Sequence, residues 1–214
     1  MFRFRFPLLC LVIFCGFLFL LPYTVPAQQP TGPEAQLKLS IERFLAVLND
    51  PELKKPGQEE IRRQKVIKLA FEQFDMPRMA MLSLGRGWKK MSPAERVEFT
   101  GLFKKLLTKS YISLIDNYSG EKVVFTREEV RGNKAEVRSK VVGNGRETPI
   151  FYKLRKEPNG KWLIYDVIIE NVSLVRNYRS QFAPLMRKKG YTGLREQMLK
   201  KIRENKKEED KKNE

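Results

Sequence analysis

The spacing of hydrophobic residues changes partway along the chain, from the period of a helix to the period of a strand. Up to about residue 118, apolar residues recur three and four positions apart, which is the spacing of one face of an α-helix. Between about residues 121 and 170, apolar and polar residues alternate, which indicates strands. Helical spacing returns after residue 173. Helices followed by a block of strands predict an α+β fold.

The helical segments carry recognisable start signals. The longest predicted helix begins at the Ser-Pro-Ala-Glu segment 92–95, where serine is the N-cap, proline takes the first helical position and glutamate closes a capping box. Its apolar stripe is broad and includes Leu106. A helix predicted from about residue 58 to 74 places four apolar residues on one face: Ile67, Ala70, Phe71 and Phe74.

Two further helices are predicted at the end of the chain. Ser173 is the expected N-cap of a helix that carries Tyr178 and Phe182 on its apolar face. Proline cannot donate a backbone hydrogen bond and clashes with the preceding turn, so Pro184 is predicted to kink or end this helix. Thr192 then starts the last helix.

The alternating region predicts a four-stranded antiparallel meander. The predicted strands cover residues 121–130, 134–142, 147–157 and 161–170. They are separated by the dipeptides Gly-Asn at 132–133, Asn-Gly at 144–145 and Asn-Gly at 159–160. Asn-Gly between alternating runs predicts a two-residue hairpin turn, because both central positions favour positive φ.

The two Asn-Gly turns also predict the register of the sheet. Counting outward from each turn sets Val137 opposite Tyr152, and Tyr152 opposite Val167. One apolar face then carries seven residues: Val137, Ile150, Tyr152, Leu154, Tyr165, Val167 and Ile169. This face belongs either to an ordinary packed core or to the wall of an apolar cavity, and the pattern alone does not decide between them.

The orientation of the first strand stays open. Either Val123 and Phe125 or Val124 and Val130 face the core.

On the opposite face of the sheet, the predicted register sets Asp166 opposite Lys153. We interpret these residues as a cross-strand ion pair rather than as part of a catalytic site.

The N-terminus has the pattern of a secretory signal peptide. Arg3 and Arg5 precede an uninterrupted apolar run at 8–21, and small residues at 25 and 27 favour cleavage after Ala27. That run is 14 residues long, shorter than the roughly 20 that span a bilayer, although an uncleaved anchor is the alternative. We therefore predict a signal peptide at 1–27, a single domain at 28–204 and a charged, disordered tail at 205–214.

Composition argues against several kinds of chemistry. The 214 residues contain no histidine, and both cysteines, Cys10 and Cys15, lie in the predicted signal peptide. Histidine-dependent nucleophile pairs and zinc sites are therefore excluded, and we expect no catalytic residues, no metal site, no cofactor and no enzymatic activity. The net charge of +17 suits either nucleic acid or an anionic membrane surface. Because the cations are spread over every element and the chain carries an export signal, we expect no nucleic acid.

Several runs along the chain resemble one known family. They are LGRGW at 84–88, SPAER at 92–96, WLIYDV at 162–167, ENVSLV at 170–175 and NYRSQF at 177–182. With the apolar residues between them, the stretch 74–199 resembles the MlaC, or toluene-tolerance, family of periplasmic lipid-shuttle proteins of the Mla pathway.

The resemblance implies both a fold and a function. A member of this family would hold phospholipid acyl chains in an apolar cavity between the sheet and a helical layer. It would pass them between an outer-membrane lipoprotein complex and an inner-membrane ABC transporter complex, and so maintain the lipid asymmetry of the outer membrane. A hopanoid or sterol-like lipid is the alternative cargo. The expected lipid contacts are the seven residues of the apolar sheet face together with Leu106, Tyr178 and Phe182.

Overall fold

The computed structural model describes residues 32–213, without the side chains of residues 114–115 and 205–213. The predicted signal peptide at 1–27 therefore lies outside the described residues. The described part of the chain belongs to one compact unit, Thr31–Glu214. Within that part, every helix is too short or too polar to cross a membrane.

Five α-helices and five strands make up the fold. The helices are α1 (Pro33–Asn49), α2 (Glu59–Phe71), α3 (Met76–Leu84), α4 (Pro93–Asp116) and α5 (Leu174–Asn213), with a 3₁₀ helix at Gly85–Lys90. The strands are β1 (Lys122–Arg131), β2 (Lys134–Gly143), β3 (Arg146–Lys156), β4 (Trp162–Ile169) and β5 (Val172–Ser173).

The strands form one antiparallel sheet in the order β1-β2-β3-β4-β5, which confirms the α+β class and the meander. The sheet has one strand more than the four predicted. The additional strand, β5, pairs with β4 after a tight turn in which Glu170 and Asn171 both have positive φ. Two residues are too few to show an alternating pattern, which is why the sequence does not reveal β5.

The predicted register is confirmed in the middle of the sheet. Gly143 is opposite Arg146, and Val137 is opposite Tyr152. On the next strand, Tyr152 is opposite Val167. The type of turn at Asn144-Gly145 therefore fixes the face of the residues on both strands.

The turn between β3 and β4 corrects the placement of Tyr165. The loop has three residues, not two, because Glu157 N–H donates to the Lys161 carbonyl at 2.8 Å and Gly160 takes a positive φ of 85°. Leu154 is consequently opposite Ile164. Tyr165 is then an extra residue in a bulge, beyond which the predicted register returns.

This correction changes the composition of the apolar face. Trp162 and Ile164, which the two-residue turn places on the polar face, are buried with Val137 and Leu154. Tyr165 instead borders a groove on the opposite face.

The first strand turns Val123 and Phe125 toward the core, not Val124 and Val130. A bulge between Phe125 and Arg127 shifts the register, so that Phe125 is opposite Ser139 and Val130 is opposite Ala135. Phe125 packs against the buried residues of the sheet, whereas Val130 remains 51% exposed.

Two apolar clusters stabilise the fold. The helical core lies among α3, α4 and α5 and is rich in aromatic contacts, such as Phe103 against Tyr178 with ring centroids 5.1 Å apart. The sheet core lies between α1 and the sheet, where Leu37 packs with Val137 and Leu154.

Helix α5 does not end at Pro184 but is interrupted at Gly190, two residues before Thr192, the predicted start of the last helix. Gly190 has φ 64° and ψ −166°, whereas Pro184 lies within helical backbone. Glycine adopts a positive φ without the steric cost of a Cβ atom. The helix extends to Asn213 and so enters the segment predicted as a disordered tail, whose order in solution stays a prediction.

Candidate functional site

An apolar cavity of about 230 Å³ lies between the sheet and the helices. One wall is formed by β3 and β4, and the others by α2, α3, α4 and the start of α5. Its lining residues are Ile67, Ala70, Phe71, Phe74, Met79, Leu107, Thr108, Tyr111, Ile112, Ile150, Tyr152, Val167, Ile169 and Leu174.

The spacing of the residues explains how each wall forms. Ile150 is opposite Ile169 and Tyr152 is opposite Val167, so two cross-strand rows make the floor. On α4, Leu107 and Tyr111 are four residues apart, as are Thr108 and Ile112, and both pairs face the cavity. The α2 wall repeats the same spacing and continues into Phe74.

None of the described side chains that line the cavity is charged. The polar groups on its wall are hydroxyls, and that of Thr108 donates to the Lys104 carbonyl at 3.0 Å. Burial raises the pKa of Tyr111 to about 12. Burial also raises the pKa of Tyr152, against the opposing effect of a hydrogen bond with Ser139. Both phenols are therefore neutral at physiological pH, and the cavity offers an uncharged surface.

Helix α2 is the wall with the least buried surface. Val66 is its buried residue. A bidentate ion pair joins Arg63 to Asp116 at the end of α4, with both N–O distances at 2.8 Å. Lys104 lies 4.6 Å from the ring centroid of Phe71. Contacts at the protein surface thus tie this wall to α4, and α2 also packs against α1.

Four of the ten residues predicted to contact lipid line this cavity: Ile150, Tyr152, Val167 and Ile169. Val137 and Leu154 are on the predicted face but lie in the sheet core, because α1 covers that half of the sheet. The period of α1 identifies its apolar stripe, but it does not say which part of the sheet the helix covers.

The remaining predicted residues lie elsewhere. Leu106, Tyr178 and Phe182 are fully packed in the helical core, where they contact other helices rather than the cavity. Tyr165 is on the opposite face of the sheet because of the β4 bulge. The structure therefore brings together the middle of the predicted sheet face and separates it from the three helical residues.

Most of the lining residues absent from the prediction come in equal numbers from α4 and from α2 with the segment that follows it. Ile67, Ala70, Phe71 and Phe74 form the single apolar face of the helix predicted at 58–74. Their spacing was therefore visible in the sequence as a stripe. What the sequence does not show is that this stripe faces the strands across a cavity.

Asp166 is a buried carboxylate with a structural role. Its oxygens accept hydrogen bonds from the Ser173 hydroxyl at 2.7 Å and from the Val175 N–H at 3.1 Å. Its Cα is opposite that of Lys153 as predicted, but the carboxylate caps the start of α5. Among the described residues, no group of three or more acidic or cysteine side chains is placed to bind a metal ion.

Fold and cavity together define an α+β protein with an uncharged apolar site between its sheet and its helices. The family model described as MlaC protein matches residues 38–200. The chain belongs to the MlaC family.

Curated relatives match half of the chain. The Intermembrane phospholipid transport system binding protein MlaC of Haemophilus influenzae is 27% identical over 112 residues, which are 50% of this chain and 52% of the relative. Toluene tolerance protein ttg2D of Pseudomonas putida is 28% identical over 104 residues, 48% of each chain. The chain thus spans about half the length of these relatives.

A solved structure matches more of the fold. It is a phospholipid-binding protein from Ralstonia solanacearum in complex with a phospholipid. The TM-score is 0.70 at 25% sequence identity, and the match covers 79% of this chain and 96% of the other.

Proposed function

We propose that this protein is a periplasmic lipid carrier that binds phospholipid acyl chains in the cavity between the sheet and α2. It exchanges them with an outer-membrane lipoprotein complex and an inner-membrane ABC transporter complex. The observation that carries the proposal is the uncharged, almost wholly apolar lining of the cavity. The family and the phospholipid complex of the Ralstonia solanacearum relative support phospholipid as the cargo. The predicted signal peptide supports the periplasm.

The apolar lining favours the acyl chains of a phospholipid and disfavours its charged headgroup. Burying an acyl chain stabilises the complex by about 0.8 kcal/mol per CH₂ group. A charged headgroup has no charged partner on the described lining and would lose its hydration there, so it stays outside. Two chains with roughly 30 CH₂ groups need about 24 kcal/mol of burial to leave a bilayer, which a deep cavity supplies and a shallow groove does not.

The cavity must widen when a phospholipid enters. Its volume of about 230 Å³ exceeds the roughly 150 Å³ of an engineered cavity that binds benzene, but it is too small for two acyl chains. Helix α2 is the wall that can move at least cost, because Val66 is its buried residue. The Arg63–Asp116 ion pair restrains this movement. Widening therefore proceeds by displacement of α2 from the sheet.

Lipid extracted from the protein tests this proposal. The protein is purified from its own cell envelope, and bound lipid is identified by native mass spectrometry and thin-layer chromatography. We expect co-purified phospholipid. Folded protein that carries no lipid and takes none from liposomes would refute the proposal, and a polycyclic lipid in place of phospholipid would assign the cavity to the hopanoid-type cargo.

A further inference from the structure

The face of the sheet opposite the cavity carries a charged groove of about 360 Å³. Its walls come from β1, β2, β3 and β4, and the lining includes the bulged Tyr165. The charged residues that line it are Glu129, Arg131, Lys134, Glu136, Arg138 and Lys153. The groove lies outside the proposed lipid site, and Ala135 is the lining residue that also belongs to the sheet core.

The strand register places like charges directly opposite each other along this groove. Arg131 is opposite Lys134, and Lys134 is opposite Arg155, so three cations form one cross-strand row. Like charges in such positions destabilise a sheet. Glu129 pairs with Arg131, but within the described part of the chain Lys134 has no carboxylate partner, so an anionic partner that binds there would relieve the remaining repulsion.

The acidic residues of the groove are already neutralised by arginines. Glu136 pairs with Arg138 at 2.7 Å, and Glu129 pairs with Arg127 at 2.8 Å and with Arg131 at 3.3 Å. Within the described part of the chain, the ammonium groups of Lys134 and Lys153 have no such partner. The groove therefore presents two free cations beside fixed carboxylates.

We propose that this groove, which we call the outer-face groove, docks an acidic segment of a protein partner. A projecting segment can enter a concave site and place its carboxylates on Lys134 and Lys153, while its own donors meet Glu129 and Glu136. A bilayer surface is flat and uniformly anionic, so it neither enters the groove nor complements the two glutamates. The proposal does not depend on lipid carriage, since no residue of the groove lines the cavity.

A double charge reversal with a matched control tests the groove. The Lys134→Glu/Lys153→Glu variant is compared with Lys89→Glu/Lys90→Glu, which makes the same change in net charge at two exposed lysines of the 3₁₀ helix. The probe is a fluorescein-labelled short polyglutamate peptide, followed by anisotropy at low salt. We expect about tenfold weaker binding for the groove variant and a much smaller change for the control. Equal weakening in both variants would mean that the net charge alone binds the peptide, and would overturn the proposal.

Further measurements on the same preparations locate the binding and keep the result interpretable. Amide chemical-shift changes on peptide addition should concentrate on β1, β2 and β3, and changes spread over the whole chain would contradict the docking site. The milder Lys134→Gln/Lys153→Gln variant should weaken binding in the same direction.

Vesicles of phosphatidylglycerol and phosphatidylcholine test the alternative of a membrane. If the groove variant loses vesicle binding but still binds the peptide, the groove is assigned to membranes and the proposal is overturned.

Stability gives an independent readout. If the row of cations serves to bind a partner rather than to stabilise the fold, Lys134→Glu should weaken peptide binding. The same variant should raise the denaturant midpoint, because it relieves repulsion from Arg131 and Arg155. A lower midpoint with peptide binding unchanged would show that the row serves the fold, contrary to the proposal. Bound lipid per protein should stay the same in every groove variant, so failure here leaves the proposed lipid site unaffected.

Discussion

At the scale of single residues, Asp166 shows how one buried carboxylate links two parts of the cavity wall. It holds Ser173 and Val175 at the start of α5. Between these residues, Leu174 lines the cavity, and on β4 Val167 follows Asp166 in the same wall. The hydrogen bonds of Asp166 therefore fix where α5 begins relative to the floor of the cavity.

Replacing Asp166 by asparagine should destabilise the protein. The amide keeps the size of the side chain but loses the charge of the acceptor and turns one oxygen into a donor, facing the Val175 N–H or the Ser173 hydroxyl. A buried hydrogen bond disrupted in this way costs about 1–3 kcal/mol. Urea unfolding measures the free energy. Ser173→Ala removes one donor to Asp166 and also the acceptor of the Arg176 N–H, so it should cost at least as much. No loss in Asp166→Asn would contradict a structural role for the carboxylate.

At the scale of whole elements, the sequence predicts correctly the features that depend on contacts between residues close together in the chain. The Asn144-Gly145 turn fixes the register of β2 and β3 from two residues, and that part of the sheet is as predicted. At the next turn, Pro158 lengthens the loop, and the β4 bulge then restores the register. The pairing of α1 with the sheet depends on contacts between residues far apart in sequence, which periodicity does not encode.

The Arg63–Asp116 ion pair should slow the movement of α2. The Arg63→Gln/Asp116→Asn variant removes the bidentate contact between α2 and α4. A partly exposed pair contributes up to about 1 kcal/mol, which corresponds to a roughly fivefold faster opening. Transfer of a fluorescent phospholipid from loaded protein to vesicles measures the rate. Lys140→Gln/Glu147→Gln removes an ion pair of the sheet as a control, and an equal acceleration there would argue against α2 as the moving wall.

The attachment of the second part of α5 to α4 should weaken in acid through Glu98. This carboxylate on α4 accepts hydrogen bonds from Arg195 and Tyr191, which follow the break at Gly190, and they hold its pKa below the ordinary value of 4.5. Because the pKa is lowered in the folded state, the stabilisation is present above pH 4.5 and is lost as the pH falls through the lowered value. Glu98→Gln should therefore reduce the pH dependence of the denaturant midpoint below pH 4.5. An unchanged acid profile would contradict this linkage.

At the scale of the molecule, the inner and outer faces of the one sheet differ in character. Its inner face divides between the core under α1 and the cavity under α2, and its outer face carries the charged groove. Most of the α+β architecture and four of the lining residues follow from alternation and turn chemistry in the sequence. The division of the inner face does not, because a packed residue and a cavity residue have the same hydrophobic pattern.

The central claim is that the cavity, and not the neighbouring core, holds the lipid. The most direct measurement is bound lipid per protein, together with a denaturant midpoint, for Ile169→Trp and Val137→Trp. Both positions belong to the apolar face, but Ile169 lines the cavity and Val137 is fully buried under α1. Ile169→Trp should fill the cavity and reduce bound lipid with little loss of stability. Val137→Trp should overpack the core at a cost of about 1–3 kcal/mol and leave the lipid content of the folded protein unchanged. Full lipid content in Ile169→Trp, or loss of lipid without loss of stability in Val137→Trp, would contradict the account.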